Sequence, residues 1–306
     1  MNKIFITGGS GFIGKALVRY LSEKNYQVTS FDLKKNNFLK KKNVKYFSGT
    51  ILDSKIINKI IKNHDIVIHL AAALGVKYTD NNALDCLKIN IEGTQNILKS
   101  AIKNKIKKII FISSSEVYGE QNNKKISESD DLIPKSVYAI TKLAGEEYTK
   151  AYCSKYNIKF NICRFFNVYG FDQREDFVIP TFFKNSILKK KIQVYGNGNQ
   201  IRSFCNVYDA AKGLIKIMEK GRNREIYNIG NDMEPITIKE LAKRIKKITN
   251  NNTLINFIDY NKSDRSQLRE IMYRLPNLNK AKTHLKYKAS IKLEDGLKMM
   301  LKKKYI

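Results

Sequence analysis

The stretch Lys3-Ile4-Phe5-Ile6-Thr7-Gly8-Gly9-Ser10-Gly11-Phe12-Ile13-Gly14 constrains this chain more than any other. Ile4-Phe5-Ile6 is a short apolar run of the kind a buried parallel strand shows. A glycine turn follows, and Phe12 to Leu21 reads as an amphipathic helix. Gly8 permits the sharp turn, Gly11 lets a pyrophosphate approach the backbone, and Gly14 lets the helix lie close on the strand. The helix start then offers free N–H groups and a positive dipole end to phosphates.

The next apolar run, Gln27 to Phe31, ends at Asp32, eighteen residues past Gly14. A carboxylate at that strand tip accepts hydrogen bonds from an adenosine ribose and repels a 2′-phosphate, which favours NAD over NADP. Lys34 and Lys35 stand close enough to weaken that preference. Further strands are expected at Val44–Phe47, Asp65–Leu70, Lys108–Ile112 and Lys159–Arg164. Between them, helices are expected near Ser54, from about Asp80 to Lys103, and from about Ser136 to Tyr156. Strands and helices alternating at this spacing predict an α/β fold with a Rossmann-type doubly wound parallel sheet. The cofactor-binding part is expected over residues 1–170, with a return of 201–230 to the sheet; 171–306 is expected to form mainly a smaller C-terminal substrate-binding lobe. Phe12 and Ile13 at the helix start, Leu52 and Asp53 after the third strand, Leu70, Ala71 and Ala72 after the fourth, and Phe165 after the sixth complete the expected cofactor contacts. Asp53 can cap a helix, meet the adenine amino group, or do both.

Tyr138 and Lys142 lie four residues apart, on one helix face. The fifth strand delivers Ser113-Ser114-Ser115-Glu116, so a hydroxyl, a phenol and an ammonium can converge beside the cofactor. A phenol near its ordinary pKa of ~10 is a poor base at neutral pH. A lysine ammonium and a positive nicotinamide ring both favour phenolate, and bringing the pKa down by about three pH units takes roughly 4 kcal/mol. The phenolate can then take an alcohol proton as hydride leaves the carbinol, with Ser114 holding the alcohol oxygen.

The formal charge of +29 would attract anionic partners. Only ten of the 57 basic residues are arginine, however, and the lysines are spread along the chain without interleaved aromatics. A nucleic-acid-binding role is therefore disfavoured. Cys86, Cys153, Cys163 and Cys205 show neither close pairing nor metal spacing, and His64, His69 and His284 are too scattered for a zinc site. No metal is expected, and a reduced cytoplasmic setting without membrane insertion is.

Together with Thr7–Gly14, four further motifs resemble the extended short-chain dehydrogenase/reductases of the NAD-dependent nucleotide-sugar epimerase/dehydratase family. They are Ser113-Ser114-Ser115-Glu116-Val117-Tyr118-Gly119, Tyr138-x-x-x-Lys142, Arg164-Phe165-Phe166-Asn167-Val168-Tyr169-Gly170 and Val194-Tyr195-Gly196-Asn197-Gly198-x-Gln200-x-Arg202. The resemblance implies an enzyme that oxidises C4 of a UDP-, dTDP- or GDP-linked sugar, with products feeding polysaccharide biosynthesis. It further implies that Asn167 and Arg202 hold the diphosphate, that Arg265 or Arg269 adds a second cation, and that Val178 and Tyr195 flank the base. A homodimer built from a four-helix bundle is also implied.

Ser114, Ser115 and Glu116 face the sugar on this reading, and they bear on the fate of the 4-keto intermediate. Dehydratases of the family carry Thr-Asp-Glu here. Ser115 cannot protonate a leaving C6 hydroxyl at neutral pH, so 4,6-dehydration is demoted. The expectation is an epimerase acting at C4. A dehydrogenase releasing the 4-keto sugar and a glucuronate-type decarboxylase, in which Glu116 would persist, stand as alternatives. A silent NAD-bound scaffold is the non-enzymatic one, disfavoured because Tyr138 and Lys142 are both present.

Overall fold

A computed structural model describes residues 2–34, 36–121, 124–262 and 270–304. Seven parallel strands form the central sheet: β1 Lys3–Thr7, β2 Gln27–Asp32, β3 Val44–Ser48, β4 Ile66–His69, β5 Lys108–Ser114, β6 Lys159–Phe165 and β7 Glu225–Ile229. Their order across the sheet is β7-β6-β5-β4-β1-β2-β3, which reverses direction at β1 and β4. In such sheets ligands bind outside the carboxyl ends at that switch point.

Alternation along each strand builds a core on each face. Ile4 and Ile6 of β1 pack on one side with Leu17, Val18 and Leu21 of helix Phe12–Glu23 and Leu214 of helix Val207–Lys220. Phe5, between them, points the other way into a core with Phe31, Ile57, Ile97 and Phe111. A third core gathers Ile179, Phe182, Val194, Leu241, Ile245 and Leu297 from the later part of the chain. Above the sheet, strand Tyr273–Pro276 runs parallel to Ile201–Ser203 and, on its other edge, to Lys125–Ile126.

One expected element is corrected. The stretch Asp80–Lys103 is not one helix: Val76–Asn81 and Ala83–Leu87 are followed by a wide π turn at Lys88–Glu92 and then by helix Gly93–Lys103. Asn82 breaks the run with a non-helical backbone (φ −128°, ψ 50°). Asn90, inside the π turn, accepts from the Ala73 N–H at 2.7 Å and donates to the Ala73 carbonyl at 3.0 Å. Its side chain satisfies a loop backbone that would otherwise be left unpaired, and π turns concentrate where helices meet such demands. Among the described residues no helix is long and apolar enough to cross a membrane.

Candidate active site

The glycine turn lies where β1 meets its helix. Gly8 adopts φ +72°, and a Cβ there would come within 2.8 Å of the Ala71 nitrogen. Gly14 is tighter: its Cβ would lie 2.1 Å from the Gly8 carbonyl, so only glycine lets the helix start against the turn. Gly11 is the N-cap and contributes no side chain, and no acidic residue stands in the first turn. The backbone around Phe12, Ile13 and Gly14 thus presents a positive helix end suited to a pyrophosphate. Asp32 ends β2 with both carboxylate oxygens engaged, accepting from the Ser10 N–H at 3.0 Å and the Leu33 N–H at 2.8 Å. Asp53 accepts from the N–H groups of Lys55 and Ile56, each at 3.0 Å, so it caps the helix Ser54–Ile61. Leu52 lies beside it, and the Asn96 amide donates to its carbonyl.

Beyond β4, the half-buried segment Leu70, Ala71, Ala72 is held by a short relay. The Ala71 N–H donates to Thr7 Oγ1, which lies 2.6 Å from His69 Nδ1, while His69 Nε2 lies 3.0 Å from Thr94 Oγ1. Burial drives His69 down to about 3, so the ring is neutral. Because the Thr94 hydroxyl donates to the Asn90 carbonyl, Nε2 carries the proton and Nδ1 accepts from Thr7. His69 is thus a packed strand residue.

Helix Val137–Lys155 brings in the phenol and the ammonium. Ser136 caps it, its side chain accepting from the Ala139 N–H. Tyr138 stands beside Ser114 at the end of β5, whose hydroxyl favours the phenolate. Lys142 is buried, donates from Nζ to the Ile112 carbonyl at 2.8 Å and lies 5.8 Å from the Tyr138 ring centroid. Burial lowers its pKa to about 8, against the raising pull of Cys86 and Glu146. Within the protein itself, burial first and the Glu116 charge second push the Tyr138 pKa up, outweighing the Ser114 hydroxyl.

Glu116 is joined by a residue that sequence reasoning missed. Arg274 Nη1 lies 3.7 Å from Glu116 Oε1, and Ser136 Oγ donates to Glu116 Oε2 at 3.3 Å. The Arg274 Nε–H is buried and has no acceptor among the described residues. Arg274 pairs in register with Arg202 on the neighbouring strand. Burial and the Arg274 charge depress Arg202 to about 9, while its Nη2 donates to Glu270 at 3.0 Å. Asn167, with φ +40°, ties both strands together through the carbonyls of Ser203 (3.2 Å) and Arg274 (3.5 Å).

Ser114, Glu116, Tyr138, Lys142 and Arg274 therefore form one cluster; Arg202 lies on the strand beside that of Arg274, and Asn167, in the bend after β6, bonds to both. Ser115 is nearly buried beside it, and Phe165 closes β6 within the core. Val178 opens the helix Val178–Ile187 and Tyr195 ends the strand Ile192–Tyr195, both around the third core. Arg265 and Arg269 lie outside the described residues. Asn90 was also missed as a site residue. Its amide reaches Thr141 Oγ1 at 2.9 Å, and Thr141 donates to the Tyr138 carbonyl. The only sequence signal was an asparagine inside an otherwise apolar helical stretch.

A parallel sheet with a glycine turn and a strand-end carboxylate at its switch point defines a dinucleotide-binding α/β protein, and the Ser–Tyr–Lys arrangement defines a short-chain dehydrogenase type. Residues 4–230 match the model of the NAD dependent epimerase/dehydratase family. The chain belongs to that family of NAD-dependent nucleotide-sugar-modifying enzymes. It is 34% identical to a UDP-N-acetyl-alpha-D-glucosaminuronate decarboxylase of Bacillus cytotoxicus, the alignment covering 97% of this chain and 95% of that protein. A UDP-glucuronic acid 4-epimerase variant of Bacillus cereus, solved with a fluorinated UDP-glucuronic acid and NAD, superposes with TM-score 0.89 at 30% identity, covering 99% and 100% of the two chains. A UDP-glucose 4-epimerase of Thermotoga maritima solved with UDP-glucose gives TM-score 0.89 at 28% identity, covering 98% and 97%.

Proposed function

We propose that this protein decarboxylates a nucleotide-linked uronic sugar through a 4-keto intermediate. The observation that carries the reading is the Arg274–Glu116 pair beside the Tyr138 phenol, with a buried guanidinium N–H that has no acceptor among the described residues. Inverting a neutral sugar at C4 calls for no guanidinium there. A C6 carboxylate is what such a group pairs with, by charge-assisted and often bidentate bonds. The similarity to a uronate decarboxylase supports the same choice.

In this scheme the glycine turn, the helix start at Phe12–Gly14 and Asp32 hold NAD, with Leu70, Ala71, Ala72 and Phe165 alongside. Bound NAD would supply a positive ring, a hydride acceptor for the C4 carbinol and, in its reduced form, the hydride donor that restores it. Tyr138 takes the O4 proton, Ser114 holds O4, and Lys142 supports the phenolate. Once C4 is a ketone, the C6 carboxylate belongs to a β-keto acid. The C5–C6 bond breaks, CO2 departs, and its bonding pair moves into the C4 carbonyl as an enolate. Having taken the O4 proton, the Tyr138 phenol donates to that enolate oxygen, and burial and Glu116 favour its keeping the proton at this stage. Arg274 orients the carboxylate, and a proton drawn from solvent reaches C5 by way of Glu116, which binds it and passes it on as CO2 leaves. Asn167 and Arg202 serve the diphosphate.

C4 epimerisation is the second reading, favoured by the Ser114–Tyr138–Lys142 set, which suffices for it. The test is product analysis with UDP-glucuronic acid carrying 13C at C6, UDP-N-acetylglucosaminuronic acid, UDP-glucose and dTDP-glucose. Release of labelled CO2 is expected from a uronate, and Tyr138→Phe should slow it by about 10²–10⁴. Unchanged mass with inverted C4 would establish the epimerase instead, and net NADH the dehydrogenase.

A further inference from the structure

We infer that Glu120 is a positioning residue that fixes Arg274 in the site and so gives the reaction its preference for a carboxylated sugar. The inference rests on the reading of Arg274 given above. Strand Tyr273–Pro276 is held on one edge by Ile201–Ser203. On the other edge its partner strand is only two residues long and reaches Leu275 and Pro276. Upstream of that short ladder the backbone finds a side chain instead. Glu120 Oε2 accepts from the Met272 N–H at 2.7 Å, and Oε1 accepts from the Tyr273 N–H at 3.2 Å. Both oxygens of one carboxylate therefore clamp the two residues that lead directly into Arg274.

Glu120 follows the segment Ser115–Tyr118 that bears Glu116, with one glycine between. The clamp thus sets the strand of Arg274 against the segment of Glu116, the residue its guanidinium meets. The charge has a second effect. Arg202 and Arg274 repel each other across adjacent strands, and Glu120 acts on Arg202 in the opposite sense. Together with Glu270, that carboxylate offsets the repulsion between the two guanidinium groups.

The test uses the full-length, NAD-loaded protein and compares a UDP-uronate with UDP-glucose by single-turnover formation of reduced nicotinamide. In Glu120→Ala the ratio of kcat/KM for uronate over neutral sugar should fall by about 10-fold or more, chiefly through KM, as expected on losing hydrogen bonds to a charged group. Turnover of UDP-glucose should stay within about twofold, because the Ser114–Tyr138–Lys142 set is not touched. Glu120→Gln, which retains one carbonyl acceptor, should recover part of the ratio. In the Arg274→Ala background, Glu120→Ala should add nothing, since it acts through the guanidinium. Equal losses on both substrates would make Glu120 a general staple and overturn the inference, as would an unaltered ratio in a wild type that does prefer uronate. A wild type with no such preference would remove the decarboxylase reading and this inference together, before any variant is made.

Discussion

Replacing Lys142 by methionine should stabilise this protein while abolishing its chemistry. The side chain is 4% exposed, and the Ile112 carbonyl accepts its proton at 2.8 Å. Burial moves its pKa from an ordinary 10.5 to about 8. Keeping the ammonium charged in the folded state at neutral pH therefore costs roughly 3 kcal/mol, at about 1.4 kcal/mol per pH unit. Methionine is close in length and carries no charge, and the forfeited bond to Ile112 returns about 1 kcal/mol of that gain. Lys142→Met should thus be more stable than wild type by about 2 kcal/mol at pH 7, seen as a rise in melting temperature of at least a few degrees. The gap has a definite pH dependence. Below pH about 8 both folded and unfolded lysine are protonated, and the penalty is fully present. Between about 8 and 10.5 the unfolded chain holds the proton that the folded one has released, so wild type gains stability as pH rises and the gap closes. Thermal melts of both proteins at pH 7 and pH 10, with no NAD added, measure it. A variant less stable than wild type at pH 7, or a gap indifferent to pH, would refute the reasoning. Turnover should meanwhile fall by two orders of magnitude or more, as for loss of an acid–base partner.

Glu146 and Arg164 form a fully buried bidentate pair, at 2.8 Å and 2.6 Å, with Ser113 donating to the same carboxylate at 2.5 Å. Glu146→Gln strands a guanidinium in the core and should cost about 3–5 kcal/mol by urea titration, whereas Glu146→Met with Arg164→Met should recover most of that. Gly14→Ala places a methyl group 2.1 Å from the Gly8 carbonyl. Calorimetry should show NAD binding weakened by about tenfold or more, the backbone having shifted where the pyrophosphate lies.

What could be read from the chain was whatever depends on local spacing. The turn from Gly8 to Gly14, the strand-end Asp32 and the pair Tyr138–Lys142 each announce themselves within a few residues, because one turn or one helix face fixes their geometry. Arg274 gave no such sign. It reaches Glu116 only because its strand docks beside Ile201–Ser203 and Lys125–Ile126, and those pairings follow from no local pattern. The π turn at Lys88–Glu92 was hidden for a related reason: apolar periodicity there reads as a plain helix, and the demand of the Ala73 backbone on Asn90 overrides it. For Tyr138 the partners were legible, but the desolvation that raises its pKa belongs to the packed protein alone.

The strand Tyr273–Pro276 also sets an order on the protein's birth. Met272 and Glu120 are 152 residues apart in the chain and meet only when that strand arrives. On the reading proposed above, a nascent polypeptide that already holds its glycine turn, phenol and ammonium gains the group that meets a sugar carboxylate only when this late strand is made.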